Sequence, residues 1–189
     1  MKTIFNLNLG IAVVLLVAVS ACEPKKQDST EIAEEQNDAV LDDRDDEKDA
    51  DFIVNAIASN YAEIKMAQLA KNKSGDDGIK KVASMLENDH TELVKQLQGY
   101  AAMKGITVPL EETEDDKKAI SNLAEESSPL DFNKKWCSAL EDRHSKSIDK
   151  FEKRLDKTED VELKNLITNT LPALRSHLAM IKEHQDTSI

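Results

Sequence analysis

Between residues 51 and 184 the apolar positions recur every three or four residues, the spacing of helices with one buried face, instead of alternating as strand positions do. Four long helices follow from that pattern. The first, about 51–72, carries Ile53, Ala56, Ile57, Ile64, Ala67 and Ala70 on one stripe. It stops at Ser74 to Gly78, where Gly75 suits a left-handed C-terminal position and Asp76 or Asp77 can cap the next helix. The second, about 78–104, carries Ile79, Val82, Ala83, Leu86, Leu93, Val94, Leu97 and Ala101, and Gly105 with Pro109 ends it.

Ser128-Pro129-Leu130-Asp131 opens the third helix with a cap, a proline in the first turn and an early acid. That helix runs to about 155 and buries Trp136, Cys137, Leu140, Ile148 and Phe151. Lys157-Thr158 turns the chain into a fourth helix, about 159–184, striped with Leu163, Leu166, Ile167, Leu174, Leu178 and Ile181. The connection from 105 to 128 is longer than neighbouring helices need, and Thr113-Glu114-Asp115-Asp116 starts a short helix within it. Two tight hairpins joined by one long crossover predict an all-α protein, a ferritin-like four-helix bundle over residues 49–186.

The N-terminal pattern differs. Lys2 precedes an uncharged run from Leu9 to Val19, too short to span a bilayer, and small residues close it. Val19-Ser20-Ala21-Cys22 resembles a bacterial lipobox, so residues 1–21 are expected to be a lipoprotein signal peptide and Cys22 the lipidation site. An ordinary signal peptide cut nearby is the alternative. The resemblance implies a protein lipid-anchored to a membrane of the bacterial cell envelope, with the outer membrane, facing periplasm or cell surface, as the expected address.

Charge refines the layout. The net charge is −12, and residues 23–51 hold thirteen acids against four basic residues. With few apolar residues to offset ordering entropy, residues 22–48 are expected to be an acidic, disordered tether behind the lipidated cysteine. The acidity argues against nucleic-acid partners, which require a basic footprint. Five glycines, four prolines and few aromatics argue against a sheet protein. With Cys22 lipidated, Cys137 has no disulfide partner and is expected to be a small buried hydrophobe.

Candidate chemistry lies where polar residues interrupt the stripes. Glu63, His90, His144 and His177 each sit mid-helix on an apolar stripe, one per long helix. A buried polar group must find partners or cost roughly 1–3 kcal/mol, so these four are expected to meet. Glu87 and Glu141 stand three residues before His90 and His144, the Glu-x-x-His spacing of bundle di-metal sites. Counted from Gly75, Glu63 and Glu87 lie 12 residues away and His90 15; counted from Thr158, Glu141, His144 and His177 lie 17, 14 and 19. The expected metal ligands are therefore Glu63, Glu87, His90, Glu141, His144 and His177. A hydrogen-bonded polar cluster without metal is the competing reading.

Asn88-Asp89-His90, His144 and the stretch Thr170-Leu171-Pro172-Ala173-Leu174-Arg175-Ser176-His177-Leu178 resemble domain-of-unknown-function family 4142, ferritin-like proteins of bacterial envelopes. The resemblance covers roughly residues 51–184 and implies a ferritin-like bundle without implying a reaction. The chain departs from ferritins: the fourth helix has Leu174 where a glutamate would precede His177, leaving three carboxylates and three histidines. That donor set points to a transition metal (iron, zinc or copper), in one-metal or two-metal form. The expected function is metal binding at the membrane surface, with metal oxidation or oxidative-stress handling as its extension. A metal-free helical lipoprotein serving envelope structure or partner binding is the alternative, and protein partners and homo-oligomerisation are left open.

Overall fold

The computed structural model describes residues 27–41 and 43–187, with side chains as far as 185. The described residues form six helices and no strand: α1 (Ser29–Asp38), α2 (Arg44–Lys73), α3 (Asp77–Lys104), α4 (Glu114–Ala124), α5 (Pro129–Lys157) and α6 (Val161–Thr187). The expected signal peptide and the expected lipidation site Cys22 lie outside the described residues. No helix among those described is long and apolar enough to cross a membrane.

Local chemistry sets each boundary. Asp28, Asp43, Asp76, Thr113 and Ser128 accept hydrogen bonds from the first free backbone N–H groups of α1 to α5. Asp160 does the same for α6 through the N–H of Leu163 at 2.7 Å. Gly105 ends α3 in the left-handed conformation at φ 69°. Gly75 does not adopt the left-handed geometry expected of it, since Gly105 is the one residue with positive φ among those described. Instead Ser74 turns extended after α2, and its hydroxyl accepts the Asp76 N–H at 3.0 Å.

The stretch expected to be a disordered tether is ordered over much of its length. Residues 29–38 form α1, which packs on α2 and buries Ala33. The Asn37 amide clamps the crossover: Nδ2 donates to the Thr107 carbonyl at 3.0 Å and Oδ1 accepts the Thr107 N–H at 2.7 Å. α2 also begins at Arg44, not near 51, because Asp45, Asp46 and Glu47 sit in its first turn, where the helix dipole favours acids. Asp49, in the next turn, is buried against Arg154 at 2.6 Å and Thr158 at 2.8 Å.

The four long helices pack in a ring: α2 against α3, α3 against α6, α6 against α5, and α5 against α2. α4 crosses outside, touching α2 and α5. The apolar interior is divided in two. One cluster joins Met66, Ala70, Ile79, Leu86, Phe132, Trp136, Leu140 and Ile181. The other joins Ile53, Ile57, Leu93, Leu97, Phe151, Leu163, Ile167 and Leu174. Along each long helix the same thing happens between the clusters: a polar residue faces inward. Cys137, fully buried in the first cluster, has its thiol pKa pushed up to about 11 by burial, which fits a packing role.

Candidate metal centre

Asn60 and Glu63 on α2, His90 on α3, His144 on α5 and His177 on α6 make the polar layer between the two apolar clusters. All five are buried, and His144 is wholly inaccessible. The three imidazoles form a triangle with ring centroids 5.3, 5.3 and 5.5 Å apart. One ring nitrogen from each lies within 4.8 Å of the others. Glu63 Oε2 is 3.1 Å from His90 Nε2 and 3.5 Å from His144 Nδ1.

Hydrogen bonds on the outside of the triangle fix the tautomers. Asn60 Nδ2 donates to the Ala56 carbonyl at 2.7 Å, so its Oδ1 is an acceptor, and His90 Nδ1–H donates to it at 2.6 Å. His144 Nδ1–H donates to the Leu140 carbonyl at 3.0 Å. His177 Nε2–H donates to Asp89 Oδ2 at 3.0 Å. Each ring therefore has its proton on the bonded nitrogen and a lone pair on the other. Those other atoms, His90 Nε2, His144 Nε2 and His177 Nδ1, are buried without a hydrogen-bond partner, as is Glu63 Oε2. Imidazoles anchored through one nitrogen by a carbonyl, amide or carboxylate, with the second nitrogen free, have the outer bonding of metal-ligating histidines.

Electrostatics point the same way. Burial drives the His90 pKa down to about 4, so the ring is neutral near pH 7. Burial also lowers the His177 pKa, against the Asp89 hydrogen bond that favours the proton. For Glu63 burial acts upward, yet the surrounding imidazoles, His90 first, and the Arg143 guanidinium hold it below the ordinary carboxylate value. The 3.1 Å contact between His90 Nε2 and Glu63 Oε2 calls for a cation between them, a proton on the ring or a metal ion.

Glu87 and Glu141 do not join this layer. Glu87 accepts from Gln68 at 2.9 Å and Lys71 at 2.6 Å, and Glu141 lies 3.4 Å from Lys182. A step of three residues turns a helix by about 300°, so each glutamate projects roughly 60° aside from its histidine, toward solvent-side lysines. Four of the six expected ligands converge, and the two Glu-x-x-His pairs contribute only their histidines.

Asn60 and the anchoring role of Asp89 escaped the sequence reading. Asn60 sits three residues before Glu63 on the same buried stripe, a signal that was available. Ser59 and Arg143 complete the surroundings of Glu63: Arg143 Nε is 3.8 Å from Oε1, its Nη2 donates to the Ser59 carbonyl and hydroxyl at 3.3 Å, and its Nη1 donates to Asp116 at 2.6 Å. Arg143 thereby ties α5 to α2 and α4 over the carboxylate.

The family model "Domain of unknown function (DUF4142)" matches residues 33–183. The chain belongs to this family. The match begins inside α1 and ends near the close of α6, so the family unit includes the helix laid on α2 as well as the four long helices. No curated protein and no solved structure is found to be similar to it. Within Asn88-Asp89-His90, Asp89 anchors His177 of α6 while its neighbour His90 faces inward from α3.

Proposed function

We propose that this protein is a lipid-anchored envelope protein built as a ferritin-like four-helix bundle that binds one transition-metal ion through His90, His144, His177 and Glu63. The observation that carries the reading is the pair His90 Nε2 and Glu63 Oε2, two acceptors 3.1 Å apart, both buried and neither given a donor. Three imidazole nitrogens and one carboxylate oxygen suit a borderline ion such as zinc, copper or iron. Small side-chain rotations would bring ring nitrogens already within 4.8 Å of one another to the ~2.0–2.1 Å coordination distance.

The residues divide the work. Asn60, the Leu140 carbonyl and Asp89 hold the three rings with their lone pairs inward. Arg143 and Ser59 hold Glu63 from its other oxygen's side. The apolar clusters above and below close the layer on two sides. A bound ion would supply Lewis acidity or, for copper and iron, electron-transfer capacity. With Glu87 and Glu141 turned away, bridging carboxylates for a second ion are missing, which favours a one-metal centre over a di-iron oxidase.

The anchor reading is supported by Val19-Ser20-Ala21-Cys22 behind a short uncharged run. Cys22→Ser should abolish lipid labelling and release the protein from the membrane fraction; acylation persisting in that variant overturns it. The metal reading is tested with protein lacking an affinity-tag histidine run, equilibrated with zinc, copper or iron(II) and analysed for metal content. One equivalent is expected, lost in His90→Ala/His144→Ala while the helical spectrum persists. Wild-type protein that retains none would make the layer a metal-free device fixing helix register, in a lipoprotein that works through its surface.

A further inference from the structure

α5 carries a basic stripe that the histidine layer does not use. Arg143, Lys146, Lys150, Arg154 and Lys157 follow one another at three- and four-residue steps on one side of the helix, with Lys153 next to Arg154 at its border. The chain as a whole carries −12, so this concentration of positive charge runs against its average. It does not lie on a convex surface. The stripe forms one wall of a cleft of about 630 Å³, and residues of α2 between Lys48 and Glu63 form the other. Asn60, Glu63 and His90 lie at its inner end. Small-molecule sites span this size.

Ion pairs hold Lys71 to Glu87, Lys104 to Asp160, Lys117 to Glu111 and Lys135 to Glu126. Other lysines without an ion pair among the described residues, such as Lys80, Lys81 and Lys164, do not line the cleft. On the cleft wall Arg143, Lys146 and Arg154 are matched by Asp116, Asp142 and Asp49. Lys150, Lys153 and Lys157 have no ion-pair partner among the described residues. They span about 10 Å of helix, and a recess with low-dielectric walls focuses their potential. Arg154, itself 7% exposed and lining the cleft, keeps Nη2 without a hydrogen-bond partner.

We propose that this cleft binds a small polyanion bearing two or more phosphate or carboxylate groups, laid along α5 over Lys150, Lys153 and Lys157 and clear of Glu63. Lys150, Lys153 and Lys157 balance its charge, and the Ser147 hydroxyl on the wall offers a hydrogen bond. From Arg143 to Lys157 the stripe is about 21 Å long, so an extended anion engages more of it than a single phosphate does. The inference does not rest on the metal reading, since binding needs no ion.

Inorganic tripolyphosphate is the probe, titrated calorimetrically into protein stripped of metal. One site is expected, weakened about tenfold or more in Lys150→Gln/Lys153→Gln, where two direct charge contacts are lost. Lys95→Gln/Lys182→Gln removes the same charge away from the cleft and should change affinity by less than about twofold. Equal losses in the two variants would mean diffuse attraction to the surface and overturn the proposal, as would absence of binding to the wild type. His90→Ala/His144→Ala, which removes the metal ligands, should still bind tripolyphosphate. Metal content and anion binding can therefore fail separately. The stripe lysines are exposed, so their replacement leaves the fold intact, and the helical spectrum checks this.

Discussion

His177 on α6 and Asp89 on α3 are joined by a 3.0 Å hydrogen bond that leaves His177 Nδ1 as a buried lone pair. The carboxylate does two things: it fixes the tautomer and raises the basicity of the inward nitrogen. Asp89 is half exposed on its outer side, so the fold does not depend on it. Asp89→Ala is expected to weaken metal binding by about 10–100-fold with the helical content unchanged. Competition against a chelator of known affinity measures it, and an unchanged affinity would remove Asp89 from the centre.

Glu63→Gln removes the carboxylate and leaves an amide of the same shape. Against the upward push of burial, positive charge around Glu63, from the imidazoles and the Arg143 guanidinium, holds its pKa below the ordinary carboxylate value. Its ionised form therefore stabilises the fold, and the metal-free variant should be less stable near pH 7. Metal affinity should fall as well. Urea midpoints with and without metal test both halves, and a variant more stable than the wild type without metal would show that the carboxylate charge is uncompensated in the absence of an ion.

The four long helices were legible because each must bury a continuous stripe, and the stripe is written in the spacing of Ile, Leu and Ala. His90, His144, His177 and Glu63 were legible for a related reason: a polar residue interrupting every stripe at a similar level must meet the others. Glu87 and Glu141 misled because spacing along one helix says they are near their histidines, not that they point to the same place. Their direction depends on which side of the helix the neighbours occupy, and Lys71 and Lys182 decided it. The helix α1 was hidden by its composition. Its order rests on bonds to residues about seventy positions away, such as Asn37 to Thr107, which a local count of acids cannot register. The Arg143 bridge to Asp116 and Ser59 likewise exists only once α4 is laid across α2 and α5.

The pH response of the metal-free protein follows from the buried rings. An unfolded imidazole takes up a proton near pH 6.5, whereas folded His90 does so only at about 4. Between those values the unfolded state binds more protons, so stability falls as pH falls. The loss begins near pH 6.5, continues toward 4, and amounts to on the order of 3 kcal/mol for His90. His177, also lowered by burial, acts in the same direction. Glu63, held below the ordinary carboxylate value, adds to the loss at still lower pH. Denaturation midpoints between pH 7.5 and 4.5 should show the slope, and His90→Gln should flatten it. A wild-type curve that is level over this range would contradict the buried neutral ring.

Asn37 tests whether the helix ahead of α2 belongs to the folded unit. Its amide accepts from and donates to the backbone of Thr107, satisfying both polar groups of one crossover residue. Nearby, Asp28 caps α1 with one oxygen and reaches the N–H of Glu114 at the start of α4 with the other. The N-terminal helix and the crossover therefore hold each other in place. Asn37→Ala leaves the Thr107 N–H and C=O without those partners, at an expected cost of about 1–3 kcal/mol. Hydrogen exchange should speed up in residues 29–38 and around Thr107 together, while the centre of α3 stays protected. If only residues 29–38 respond, α1 is a passenger on α2 and the crossover is held by α4 alone.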